Sequence, residues 1–286
     1  MMKNNLKSKL SELSKEEMIL LIEKLKRKQE LQENFMMNIS HDLRSPLNVI
    51  MSANYMLECI QNRENIEYNN NKEKEYLDII KRNTYKMLKL IDNLIDITRI
   101  ENKYFKINKE NIEVVNFIEN TMGSIDKYAK KKDITLIFDT NKEECLIGVD
   151  PQALDRICIN LISNAIKFSS TGSFIYVTLM IDDENVKISV VDNGIGISKE
   201  DQKKIFERFN QGSKKSEYNG SGIGLDLVKS LVKLHDGKIT LKSELNKGSD
   251  FTIVLPNRKL EKEEVKFKDE RDRVQLLEME FSDIYT

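Results

Sequence analysis

A heptad seam governs the N-terminal part of this chain. Apolar or seam residues step by four and three through Met18, Ile22, Leu25, Gln29, Gln32, Met36, Ile39, Leu43, Pro46, Ile50, Ala53 and Leu57. That is the repeat of a long helix packed along a partner helix. With Ile39 and Leu43 on the seam, His41 falls at the outward f position, held to solvent, and Asp42 follows at once. An imidazole is uncharged often enough near neutral pH to act as a nucleophile, and the neighbouring carboxylate either orients it or takes its proton.

A second helix is expected over residues 72–102, after a polar, asparagine-rich turn at 61–71. Its apolar positions form two adjacent stripes, one running from Tyr76 and Ile80 to Leu94 and Ile97, the other through Leu77, Leu88, Ile91 and Ile95. One stripe satisfies one neighbour, whereas two require a bundle, so a dimer closing a four-helix bundle is the expected solution. Upstream, residues 1–34 are charged and heptad-like and read as a coiled-coil lead, weakened by Gln29 and Gln32 on the seam.

From Tyr104 the periodicity changes. Runs at Phe105–Lys109, Ile134–Phe138, Ser173–Ile181, Val186–Val191, Lys238–Ser243 and Phe251–Leu255 read as strands, interleaved with helices at 113–130, 151–168 and 222–236. The expected fold class is therefore α+β: a helical hairpin followed by an α/β sandwich with helices on one face of a mixed sheet. After Pro256 comes a charged tail, 257–286, in which Val265–Phe267 and Leu276–Tyr285 are compatible with either strand or helix.

Composition narrows the function classes. A net charge of −1 gives no bulk field toward nucleic acid or anionic membrane. No apolar run approaches the ~18 residues needed to span a bilayer. The N-terminus lacks the basic-then-apolar pattern of a secretory signal. Three scattered cysteines, Cys59, Cys145 and Cys158, argue against disulfides and a zinc site, so a cytoplasmic location is expected.

The chemistry gathers in the second domain. Six of the eleven glycines lie between 194 and 224, where uniform scatter would put about one, so this segment needs backbone freedom or close approach to a ligand. Asp192-Asn193-Gly194-Ile195-Gly196 follows a strand, and Gly220-Ser221-Gly222-Ile223-Gly224-Leu225 opens a helix. A glycine-rich turn at a helix N-terminus presents free N–H groups and a positive dipole end to phosphate. The spacing fits neither a Walker loop nor a dinucleotide fingerprint. Asp192 is either an acceptor for a purine amine or a turn-forming Asp-Asn-Gly. On the helix 151–168, Asn160 and Asn164 stand one turn apart on one face. Their carbonyls suit Mg²⁺, though such a pair also solvates a helix. Lys167 lies one step on, in reach of phosphate as a point charge.

In order and spacing these segments resemble a sensor histidine kinase of two-component signalling, over roughly residues 35–256. Asn38–Leu47 is similar to the phospho-acceptor box, 155–168 to the N box and 190–197 to the first glycine box. Ile205-Phe206-Glu207-Arg208-Phe209 is similar to the F box, 220–225 to the second glycine box, and Gly248–Thr252 to the closing segment. The resemblance implies a coiled-coil lead (1–34), a dimerisation and phospho-acceptor domain (35–102), an ATP-binding domain (103–256) and the tail. It implies phosphorylation of His41 with Asp42 as acid/base neighbour, and Mg²⁺ held by Asn164 with Asn160 nearby. It further implies phosphate on Lys167, adenine on Asp192, and nucleotide approach at Gly194 and Gly196. A lid at Asn210–Asn219 would end in Gly220, Gly222 and Gly224, with Leu225 beyond. The implied partners are a second copy of the chain, a response-regulator receiver domain and an upstream sensor protein. That last expectation arises because the residues before the bundle are too few for a sensor domain. An ATPase or serine kinase of the same superfamily, not using His41, is the alternative.

Two departures bear on the chemistry. Ser45 stands where many members carry threonine or asparagine, so a hydroxyl for dephosphorylating the partner is kept. Gln211 replaces a frequent arginine, which leaves phosphate charge to Arg208 with Lys214 and Lys215. His235, before Asp236-Gly237, reads as a helix C-terminus where an imidazolium favours the dipole. Pro46 removes the hydrogen bond to the Asp42 carbonyl and so softens the helix beside His41. Pro46→Ala is expected to stiffen this turn and change the rate at which His41 is phosphorylated. An unchanged rate in a single-turnover assay discards that role.

Overall fold

The computed structural model describes residues 14–61, 66–208, 222–261 and 271–284. The chain divides into two units, Met1–Ser45 and Pro46–Thr286. Helix α1 is Lys15–Gln61. It starts at a capping box that hydrophobic periodicity did not reveal: the Glu17 N–H donates to Ser14 Oγ at 3.2 Å, and the Ser14 N–H donates to Glu17 Oε2 at 2.8 Å. No break separates the expected lead from the His41 helix, because Lys, Glu, Leu and Gln sustain helix throughout this stretch. In the first unit Ile39 is buried, while Met18, Ile22, Leu25 and Met36 are exposed. In the second, Pro46, Ala53 and Leu57 are buried, as the seam requires.

Helix α2 is Ile66–Glu101, six residues longer at its start than the apolar stripes suggested. Its two stripes part company. Leu90 and Ile97 of the first are buried, whereas Leu77, Ile91 and Ile95 of the second are exposed in the single chain.

The sandwich follows. In order come β1 Glu110–Glu113, α3 Val114–Lys131, β2 Thr135–Thr140, β3 Leu146–Val149, α4 Pro151–Phe168, β4 Phe174–Ile181 and β5 Asn185–Asp192. Then come the short α5 Lys199–Gln202, α6 Gly224–Leu234, β6 Lys238–Glu244 and β7 Gly248–Pro256. Five strands make one mixed sheet in the order β2-β4-β5-β7-β6, parallel only between β2 and β4. Helices α3, α4 and α6 pack on one face of it. Strands β4 and β5 alternate buried and open positions, so Ile175, Val177, Leu179, Val186, Ile188 and Val190 point into the helix layer. The same parity turns Asp192, at the end of β5, toward the helices.

Two strand expectations change. Residues 105–109 are not a strand, because the Asn108 N–H donates to Asp150 Oδ2 at 2.8 Å instead of to a neighbouring strand. Pairing begins at Glu110, against β3, a four-residue strand too short to register as a periodic run. The tail also resolves: α7, Arg271–Glu280, is helical and ends in a 3-10 turn, Phe281–Asp283. Val265–Phe267 lies outside the described residues.

Asp150 and His235 fasten the bottom of the sandwich. Asp150 Oδ1 caps α4 by accepting from the Gln152 and Ala153 N–H groups. The Asp150 N–H donates to His235 Nε2 at 3.0 Å, and His235 Nδ1 lies 2.8 Å from the Leu231 carbonyl. A ring that accepts at Nε2 and donates at Nδ1 is neutral, so the imidazolium expected from its place at a helix end is corrected. Burial holds its pKa below the ordinary histidine value against the pull of the Leu231 carbonyl. The folded state therefore binds this proton more weakly than the unfolded chain. The stability it supports is complete above about pH 6.5 and is lost as pH falls below it. Thermal melts should show a lower midpoint at about pH 5.5 than at about pH 7.5. His235→Gln, which keeps an acceptor for the Asp150 N–H, should narrow the gap.

Candidate functional site

Helix α4 carries the polar centre of the domain. Its Asn160 is buried and its Asn164 half-buried, one turn further on. Asn164 Nδ2 donates to Asn160 Oδ1 at 3.2 Å, so the two amides form one unit rather than two solvated side chains. Helix α6 begins directly over it: a Cβ on Gly224 would stand 2.5 Å from Asn160 Nδ2. The missing Cβ of Gly224 lets the α6 N-terminus, with its unpaired N–H groups, come this close to the asparagine pair without displacing the Asn160 amide.

Asp192 stands at the end of β5, on the buried face of the strand. Its carboxylate is buried and accepts from the Gly194 N–H at 2.8 Å and from the Ser249 N–H. Burial pushes its carboxyl above the usual range, and those two backbone donors pull against it. The Asp-Asn-Gly turn and the acceptor role are thus compatible in one residue. Gly196 follows in the left-handed region, φ 62°, packed against the Glu244 carbonyl.

Other expected site residues are placed as follows. Lys167 is buried, its Nζ 5.6 Å from the Phe168 ring centroid. Gly222 has φ 65°, and Leu225 lies in the first turn of α6. Arg208 is not free for phosphate: its Nε donates to Asp226 Oδ2 at 2.7 Å and its Nη2 pairs with Glu101 Oε1 at 2.9 Å. Burial works against its charge, but those two carboxylates outweigh it and raise its pKa. It joins the turn before the lid to the end of α2 instead. Gly220, the lid at Asn210–Asn219, and with it Gln211, Lys214 and Lys215, lie outside the described residues.

In the first unit, the His41 side chain is 82% exposed, with Nδ1 3.3 Å from Asp42 Oδ1. Asp42 is half-buried, and burial raises its carboxyl pKa against the lowering pull of His41. Ser45 is exposed one turn away on the same helix.

Sequence reading missed the residues that join α2 to the sandwich. Arg156 of α4 pairs with Asp96 and donates to Asn93 Oδ1 at 3.1 Å. Along α2, Lys81, Tyr85, Lys89 and Asn93 recur every fourth residue, a polar stripe that the search for apolar spacing passed over. Ser163, between the two asparagines, was also missed.

Residues 31–103 match the family model described as "His Kinase A (phospho-acceptor) domain", and 149–259 match "Histidine kinase-, DNA gyrase B-, and HSP90-like ATPase". The chain belongs to the histidine kinase family. It is similar to hybrid signal transduction histidine kinase D of Dictyostelium discoideum, 32% identical over 82% of this chain and 15% of that protein. It is also similar to sensor histidine kinase WalK of Bacillus subtilis, 29% identical over 78% of this chain and 36% of that protein. The chain spans less than half the length of such relatives. Its fold is that of the histidine kinase AdeS of Acinetobacter baumannii, with TM-score 0.57, 20% identity, and coverage of 76% of this chain and 98% of that one. The histidine kinase ThkA, solved in complex with response regulator protein TrrA, gives TM-score 0.59 and 19% identity over 86% of this chain and 68% of that one. No helix among the described residues is long and apolar enough to cross a membrane.

The candidate site includes two close backbone approaches, at Gly196 and Gly224. Gly196→Ala forces a side chain into both the left-handed region and the Glu244 carbonyl. It should cost at least about 1–3 kcal/mol, read as a lower midpoint in urea unfolding of the full chain.

Proposed function

We propose that this chain is an ATP-dependent protein-histidine kinase that phosphorylates its own His41 and passes the group to an aspartate of a response-regulator receiver domain. The observation that carries the reading is the exposed His41 bonded through Nδ1 to Asp42, on a phospho-acceptor helix, in a chain that also holds the bonded Asn160–Asn164 pair and the buried Asp192. The exposed stripe of α2 and the exposed upper seam of α1 support a homodimer that closes a four-helix bundle.

The residues divide the work. Asp192, a buried acceptor, takes the exocyclic amine of adenine. The N-terminus of α6, with Gly222, Gly224 and Leu225, receives phosphate through N–H groups and dipole, and Lys167 adds a charge. The oxygen donors of Asn164, with Asn160 beside it, fit Mg²⁺, which when bound neutralises phosphate charge. With a proton on Nδ1 held by Asp42, the Nε2 lone pair of His41 is free to attack the γ-phosphorus. The N–P bond forms as the bond to the β-phosphate bridging oxygen breaks, and that oxygen leaves on ADP with the electron pair. Asp42 stabilises the imidazolium that results, its raised pKa making it the better proton acceptor. Transfer to a receiver carboxylate reverses the attack at the same nitrogen, and the Ser45 hydroxyl is placed to position water for dephosphorylation.

Incubation with radiolabelled ATP tests the reading. Wild type should acquire acid-labile, alkali-stable label. His41→Gln should acquire none while still binding nucleotide, and Asn164→Ala should lose label through loss of magnesium–nucleotide binding. Asp192→Asn should raise the KM for ATP about tenfold, the loss of one charged hydrogen bond. Label that persists in His41→Gln overturns the assignment in favour of a serine kinase.

A further inference from the structure

The segment after the sandwich is bonded to both halves of the second unit. On the sandwich, Arg273 Nη2 donates to Thr121 Oγ1 at 2.7 Å and pairs with Asp155 Oδ1 at 3.0 Å. Phe281, 1% exposed, stacks on Tyr128 with ring centroids 4.3 Å apart. On α2, Glu278 accepts from Tyr85 Oη at 2.7 Å and pairs with Lys81 at 3.2 Å, while Glu280 pairs with Lys89 at 3.1 Å. Leu277 and Ile284 are buried beside these contacts. The polar stripe of α2 is thus read in register by a helix whose acidic residues sit two apart.

Glu280 does something more. Its Oε1 accepts from Ser163 Oγ at 2.8 Å and lies 3.4 Å from Asn160 Nδ2. Asn160 is the amide bonded to Asn164 and pressed by Gly224. A carboxylate therefore rests on the asparagine pair, on the wall of a cleft of about 640 Å³ between α2, α4, α6 and α7. Phosphates arriving at the α6 N-terminus would meet this charge with like charge.

We propose that residues 271–284 are an internal ligand that clasps α2 to α4 and opposes nucleotide loading until it is released. The proposal rests on the kinase reading above. Phosphorylation of His41 from a separate domain needs that domain to move relative to α2, and for that either the bonds of Glu278 and Glu280 to α2 or those of Arg273 and Phe281 to the sandwich must open first. Because a clasp that opposes nucleotide must by linkage be opposed by nucleotide, loading ATP weakens the clasp by the same factor.

The test compares the full chain with a deletion of 271–286 and with Lys81→Ala/Tyr85→Phe/Lys89→Ala, which removes the polar contacts of Glu278 and Glu280 to α2 while leaving the segment and the sandwich intact. Two readouts are taken: the initial rate of His41 labelling, and the affinity for a fluorescent ATP analogue, which needs no turnover. Both variants should bind the analogue more tightly and label faster, the deletion by at least about fivefold in each. A synthetic 271–286 peptide added to the deletion should reverse both changes. Unchanged or weaker analogue binding in a folded Lys81→Ala/Tyr85→Phe/Lys89→Ala protein overturns the clasp, whether or not the deletion folds. Tighter binding in a chain that never labels His41 sustains the clasp and sinks the kinase reading instead.

Discussion

Arg156 is the side chain on which the arrangement of the second unit depends. It leaves α4 to pair with Asp96 and bond Asn93 on α2, so the helix that bears the asparagine pair is tied by charge to the helix that bears the bundle stripe. Burial pulls the guanidinium pKa below its ordinary value while Glu280 and Asp92 push back. Such a pair adds little net stability, since desolvation offsets attraction, but it admits few geometries. A junction made of Arg156, Lys89, Arg208 and their carboxylates therefore fixes one docking without sealing it. An apolar layer at about 25 cal/mol per Å² would hold more firmly and release less readily. For a domain that, on the proposed kinase reading, leaves and returns, charge is the better adhesive.

The two kinds of packing explain why some of the molecule was legible in its sequence and some was not. Strands β4, β5 and β7 announced themselves because burying one face forces alternation, and Asp192 sits on the buried parity of β5 by the same rule. The outward place of His41 followed from a seam that fixes every other position of its helix. Asn160 and Asn164 were legible as a pair because a helix puts residues four apart together. None of this logic reaches Arg208, whose free charge was expected at phosphate. A guanidinium goes to whichever carboxylates the fold brings near, and Asp226 and Glu101 are distant in sequence. Likewise the tail carries too few apolar residues to show a period, and its partners on α2 lie about 190 residues away.

The asparagine pair joins these observations at one place. Asn160 touches Asn164 along its own helix, Gly224 at the start of α6, and Glu280 from the tail. Each neighbour belongs to an element with a separate reason to move or to stay. The buried core beneath α4, Ile157, Leu161 and Ile162 among it, is close-packed and cannot yield by degrees. A shift imposed at Asn160 must consequently be taken up by the α6 turn, where Gly222 and Gly224 have the freedom to do so, or by the tail, whose Glu278 and Glu280 bonds to α2 and α4 are polar. The first is the side proposed to receive phosphate and the second the side that grips α2. On that proposal, what binds at one is felt at the other through a single amide, without any path through the sheet.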